Sequence, residues 1–415
     1  MLLACSLLGA CATPPAPKLD TSFFADARFE PPSEPIRAAD VFAVSPAMKA
    51  YLDDGIAGKV LARGRTEALV EALYKKSALR LEYDSVMTRN AAQAFAARSG
   101  NCLSLVIMTA AFAKELGIPV RFQSVVTDEL WGRDGGIDFV IDHVNVTLGQ
   151  RIGGPIWAGR FTDAVTVDFL PPQELNGQKQ HELPESTVLA MYMNNRAAES
   201  LARGRIDDAY WWAREAIVQE PGFVRALNTL GVVYRRHGDL AQAERALRQA
   251  YSAQPANPQI VFNLAQVLAE QGRGAEAQSL RERLAQLQPE APFSYFDRGR
   301  IALKNGDAKA ARDLFLREVD RAPYNAEFHY WLAVAYAKLG DVPAARAQLE
   351  LAMEAVAGLK LCTTDAESLT KEIEDLRNSE RQKVDEALLR GVPRDELRQG
   401  AGWDRDVTVA QERHR

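Results

Sequence analysis

Cys102, His143 and Asp168 carry the side chains that nucleophilic acyl transfer requires: a thiol, an imidazole and a carboxylate, in that order. The thiol opens an apolar stretch in Arg98-Ser99-Gly100-Asn101-Cys102-Leu103-Ser104-Leu105. The imidazole lies in Ile141-Asp142-His143-Val144-Asn145-Val146, and the carboxylate in Val165-Thr166-Val167-Asp168-Phe169-Leu170-Pro171. A thiol in the first turn of a helix feels the positive end of the helix dipole and the orphan backbone N–H groups, both of which favour thiolate. The same N–H groups can hold an oxyanion. An adjacent imidazole completes the activation, and a carboxylate orients the imidazole. Taken singly, each residue has a plainer reading. A cysteine opening an apolar helix is commonly a small buried hydrophobe, and a histidine in a strand a hydrogen-bonded structural residue.

The elements that must position these groups fall in residues 41–180. Pro46 to Leu61 and Thr66 to Leu79 space their apolar residues as helices, and Asn90 to Arg98 reads as another. Gly100 and Asn101 interrupt, and Cys102 to Leu116 resumes as a strongly apolar helix that Gly117 and Pro119 stop. Val120 to Val126, Phe139 to Thr147 and Ala164 to Phe169 then alternate like strands. On the second of these Ile141, His143 and Asn145 share one face. Asp134-Gly135-Gly136 with Trp131 reads as a mobile loop bordering a cleft. Helices followed by an antiparallel sheet predict an α+β domain.

The next region repeats. Pro221, Pro255, Pro289 and Pro323 recur every 34 residues, and so do Ala209, Ala243, Ala277, Ala311 and Ala345. The clearest unit carries Leu227, Leu230, Gly231, Tyr234, Ala243, Leu247, Ala250 and Pro255. Period and columns together resemble the tetratricopeptide repeat. About five units fit within residues 190–357, as an all-α solenoid of antiparallel helix pairs whose concave groove takes a protein partner. Trp211 and Trp212 fall on the second helix of the first unit, where they are expected to pack in the core. Residues 358–415 are charged: Asp365 to Leu389 is a candidate capping helix, with a frayed tail beyond. Cys362 is a lone thiol there.

Composition bounds the partners. The chain has 415 residues, 47% hydrophobic and 25% charged, with a net charge of −5. This is ordinary for a globular protein and gives no argument for nucleic acid. The four cysteines suggest neither a disulfide framework nor zinc. His181, His237, His329 and His414 have no metal-ligand spacing. There is no phosphate-binding glycine loop, so no cofactor is expected. Residues 1–10, a short apolar run ending in small residues before Cys11, read as a signal peptide. Leu8-Gly9-Ala10-Cys11 resembles a bacterial lipobox, which implies lipidation at Cys11 and a membrane anchor. Ala12 then favours the outer membrane facing the periplasm. Residues 11–40, rich in Pro, Ala and acidic groups, read as the lipidated tether.

The helix Asn90 to Arg98, the Gly100-Asn101-Cys102 turn, the apolar helix and Gly117-Ile118-Pro119-Val120-Arg121 together resemble the core of the transglutaminase-like superfamily. His143-Val144-Asn145-Val146 and Asp168-Phe169-Leu170-Pro171 resemble its His and Asp segments. The chain departs from the family at Asn145, where an aromatic often follows the His by two, and at Leu103, where an aromatic often neighbours the Cys. The resemblance implies hydrolysis or acyl transfer on the amides of a peptide or protein substrate. Cys102 would attack the carbonyl, His143 relay the proton and Asp168 hold His143; no calcium is implied. The alternative is a non-enzymatic adaptor, with the repeats binding partners and the cysteine domain degenerate.

Overall fold

The computed structural model describes residues 18–56, 64–74, 79, 81–83, 87–134, 137–149, 164–169 and 180–358. Cys11, Cys362, the candidate capping helix and Leu170-Pro171 lie outside the described residues. Contacts divide the chain into two compact units, Met1–Ala38 with Leu189–Leu284, and Ala39–Val188 with Ala285–Arg415.

The cysteine domain opens with α1 (Pro46–Gly55), whose Ser45 side chain caps the Met48 N–H and whose first turn begins at Pro46. Next comes α2 (Arg65–Tyr74), burying Ala68, Leu69, Ala72 and Leu73. A short parallel pair follows, β1 (Glu82–Tyr83) with β2 (Ser99–Gly100), enclosing α3 (Ala91–Ala97). Asn90 and Gln93 close a reciprocal capping box on α3, and Arg98 ends it in the left-handed region at φ 53°. Helix α4 (Cys102–Glu115) is buried on every side from Cys102 to Ala113, as a helix apolar all round must be.

Against α4 lies a four-stranded antiparallel sheet in the order β5-β4-β3-β6. Its strands are β3 (Val120–Asp134), β4 (Ile137–Leu148), β5 (Val165–Val167) and β6 (Gln180–Leu183). β3 and β4 form one long hairpin paired from Val120↔Leu148 to Asp134↔Ile137, with a shift in register between Val125 and Leu130. Of the expected mobile loop, Trp131 and Asp134 are instead paired strand, opposite Val140 and Ile137, while Gly135 and Gly136 lie outside the described residues.

The repeat region is built from one recurring helix-pair contact. In the unit of Leu189–Leu284 lie most of α5 (Glu185–Ala202), α6 (Ile206–Gln219), α7 (Val224–His237), α8 (Leu240–Ala253), α9 (Pro258–Glu270) and most of α10 (Gly274–Leu287). The other unit holds α11 (Ser294–Lys304), α12 (Ala308–Arg321), α13 (Ala326–Leu339) and α14 (Val342–Gly358). Ala209, Ala243, Ala277, Ala311 and Ala345 are all buried, as their shared column predicts. A Cβ on Gly231 would stand 2.5 Å from Leu247 Cγ, and one on Gly299 2.5 Å from Phe315 Cε1, so the paired helices cross closely there.

Residues 18–38 are not a free tether. They form a strap packed on α5 to α8. Phe29 stacks on Tyr210 with ring centroids 3.8 Å apart, and it also meets Tyr234 and His237. Tyr210 donates to Asp26 at 2.5 Å and accepts from the Ala25 N–H, while Tyr234 donates to the Phe23 carbonyl at 2.6 Å. Arg214 lies over Phe24 and pairs with Asp26; Arg196 pairs with Glu34. Trp211, expected in the core, instead donates its indole N–H to the Glu30 carbonyl, whereas Trp212 is buried as expected. Burial, with the nearby Asp239 charge adding and hydrogen bonding opposing, pushes the Tyr234 hydroxyl up to about 12.

Candidate functional site: a cysteine, a histidine and an aspartate on helix and sheet

The start of α4 is fixed by a local hydrogen-bond network. Asn101 caps the helix by accepting from the Ser104 N–H at 2.9 Å, and its amide donates to Thr88 at 2.9 Å. The Ser104 hydroxyl donates to Asn101 at 2.7 Å and accepts from the Arg89 N–H at 2.8 Å. Gly100 is required by space: a Cβ there would meet Ser104 Cβ at 2.6 Å. Together these hold Cys102 as the first residue of the helix, 5% exposed, as the sequence places it.

His143 projects from β4 and is 2% exposed. Its Nε2 lies 2.6 Å from Asp168 Oδ1, and the ring also hydrogen-bonds Cys102. With Nε2 committed to Asp168, Nδ1 is the ring nitrogen left for sulfur. All three residues singled out in the sequence are thus brought together, from a helix start, a mid-strand position and the residue just past β5. Burial alone would lower the His143 pKa. The hydrogen bonds and charges of Asp168 and Cys102 outweigh it and raise the pKa to about 9. At neutral pH the imidazole is therefore protonated, donating Nε2–H to the carboxylate.

Asn145, where the chain departs from the family pattern, belongs to the same cluster. Its Nδ2 donates to Asp168 Oδ2 at 2.9 Å. Sequence reasoning places Asn145 on the face of His143 but gives it no role; the strand period is the signal that could have done so. Further along that face the Thr147 hydroxyl donates to Gln123 at 3.1 Å and lies 2.8 Å from the Thr166 hydroxyl. Among the described residues no group of His, Cys, Asp and Glu suits a metal ion. The remaining described histidines lie elsewhere: His181 on β6, His237 beside Phe29, and His329 between Gln348 and the Pro323 carbonyl.

A family model described as tetratricopeptide repeat matches residues 228–292 and 296–358. These residues are tetratricopeptide repeats, and repeats of this kind commonly bind proteins or peptides. No curated protein matches the chain. Solved structures that overlap it include MamA residues 41 to the end from Desulfovibrio magneticus RS-1, at 18% identity over 40% of this chain and 94% of that one, TM-score 0.24. YrrB, a TPR protein with an unusual peptide-binding site, overlaps at 20% identity over 40% and 86%, TM-score 0.24. A thermophilic TPR protein of Thermus thermophilus overlaps at 18% identity over 44% and 98%, TM-score 0.27. At these scores the overlaps carry no argument about function.

Proposed function

We propose that the chain is an envelope lipoprotein whose transglutaminase-like domain acts on amides of a peptide or protein. In this reading the repeats recruit a protein partner and Cys11 carries the lipid anchor. The observation that supports the chemistry is the hydrogen-bonded series Cys102, His143, Asp168, with the sulfur at a helix start. With the thiol proton carried on His143, Cys102 Sγ attacks the amide carbonyl carbon, and the imidazolium gives that proton to the departing amine as the C–N bond breaks, leaving a thioester on sulfur. The free imidazole then takes a proton from water, for hydrolysis, or from a second amine, for transfer, as that nucleophile attacks the thioester. Asp168 keeps the ring in the orientation both steps need. In this reading the N–H groups at the start of α4 receive the oxyanion.

The test is mass-spectrometric trapping of an acyl group on Cys102 with a peptidyl acyl donor, beside iodoacetamide labelling at neutral pH. His143→Ala is expected to slow alkylation of Cys102 by roughly 100-fold or more, the range a positioned acid–base partner supplies. An inert Cys102 in folded wild-type protein would sink the enzymatic reading. The second reading, a scaffold, is favoured by the matched repeats. It requires that Cys102→Ala behave as wild type in cells while substitutions on the repeats abolish function.

A further inference from the structure

Asp168 has one oxygen on His143; its other oxygen is held by a residue of the same strand as that histidine. The register of β4 with β5 pairs Leu148 with Val165, Thr147 with Thr166 and Val146 with Val167. One further step sets Asn145 opposite Asp168. Asn145 is 0% exposed and two residues from His143, so both side chains leave the same face of β4. Nδ2 of Asn145 reaches Asp168 Oδ2 at 2.9 Å while His143 Nε2 reaches Oδ1 at 2.6 Å. Asn145 Oδ1, in contrast, is buried with no hydrogen-bond partner among the described residues.

An orphaned acceptor in a fully buried amide is unfavourable, and folded proteins carry few. Turning the amide over would bring its oxygen against the carboxylate, so Asp168 dictates the orientation even though the oxygen is left unmatched. Asp168 also lies just beyond the last paired residue of β5, where the ladder no longer fixes its backbone. A carboxylate there needs a second point of attachment if Oδ1 is to stay on His143.

We infer that Asn145 is a positioning residue that clamps Asp168 through Oδ2, so that the carboxylate keeps His143 oriented toward Cys102. This rests on the acyl-transfer reading and adds to it a residue that departs from the family pattern. Among the described residues, the titratable groups facing His143 are Cys102 from α4 and Asp168 beyond β5. Loss of the clamp therefore reads out at His143 itself.

The experiment uses the full chain with Asn145→Leu, which keeps the branched outline and removes both the donor and the orphan oxygen. Asn145→Ala serves if the first variant does not fold. Three quantities are measured: the His143 titration midpoint by NMR of labelled imidazole carbons, the iodoacetamide rate at Cys102, and the melting temperature. The expected result is a midpoint at least about one unit below wild type, alkylation slowed by about tenfold, and a melting temperature for Asn145→Leu modestly lowered, because Asp168 Oδ2 loses a donor and His143 part of its charge stabilisation. A midpoint equal to wild type overturns the clamp, whatever happens to the rate, because the His143–Asp168 bond would have survived without Asn145. An inert Cys102 in wild-type protein would sink the acyl-transfer reading yet leave the clamp standing, since the midpoint reports it independently.

Discussion

The repeats use one column of small residues five times over, at Ala209, Ala243, Ala277, Ala311 and Ala345. The cysteine domain assembles its polar cluster once, from Cys102, His143, Asn145 and Asp168. The two designs fail in different ways. A repeated contact is local, and its loss is shared among neighbours that make the same contact. A single cluster has no spare copy, and each of its members holds the next. The strap on α5 to α8 lies between these extremes: it is packed like a core at Phe29 and paired like a surface at its charges.

Four measurements bear on this contrast, in descending size of effect. Phe29→Ala removes the ring stacked on Tyr210 and is expected to cost about 3 kcal/mol, the lower end for a buried phenylalanine because the strap can relax. Chemical denaturation reads the cost, and the Tyr234 hydroxyl should titrate nearer its ordinary value. A loss below about 0.5 kcal/mol would place the strap with the surface pairs.

The second measurement is stability against pH. The pKa of His143 is raised to about 9 in the fold, so its contribution is complete below about pH 6.5 and is lost as pH climbs through 9. The cysteine domain should lose on the order of 3 kcal/mol across that window, and His143→Gln should flatten the decline. A slope that persists in His143→Gln would assign it to other groups.

Third, Gly299→Ala forces a methyl against the fully buried Phe315 ring and is expected to cost about 1–3 kcal/mol by thermal melting. A neutral result would mean that α11 and α12 separate easily at that crossing. Smallest is Arg28→Ala, which breaks the pair with Asp239. The Arg28 side chain is 58% exposed, so the loss should stay under about 1 kcal/mol and shrink further in salt.

Some parts of the molecule are legible in the sequence and others are hidden, for physical reasons. The repeats declare themselves through a period, because identical packing problems recur at identical spacing. The turns between their paired helices follow the same period, at Gly204, Gly238, Gly272, Gly306 and Gly340, all with positive φ. The cluster is legible because Asn90, Gly117 and Pro119 mark helix ends and alternation marks the strand carrying His143. β6 is not: Gln180, His181 and Glu182 are exposed and show no apolar alternation, and only pairing with β3 makes them a strand. The strap is hidden because its composition is that of a linker. Its partners, Tyr210, Arg214 and Tyr234, stand far along the chain, and no local pattern announces a contact at that distance.

The strap has a consequence for reach. With Cys11 held in a bilayer, as proposed, an unattached chain from residue 11 to 40 would be a leash of roughly 100 Å at full extension. Because the strap is bound to the first repeats from about residue 20, the chain between anchor and strap can span about 30 Å at most. The volume such a leash sweeps scales as the cube of its length and falls by about 40-fold, which raises the local concentration of the repeats at the lipid surface by the same factor. A partner embedded in that membrane would meet the repeats at a fixed height, whereas one deep in the aqueous space would have to come to them.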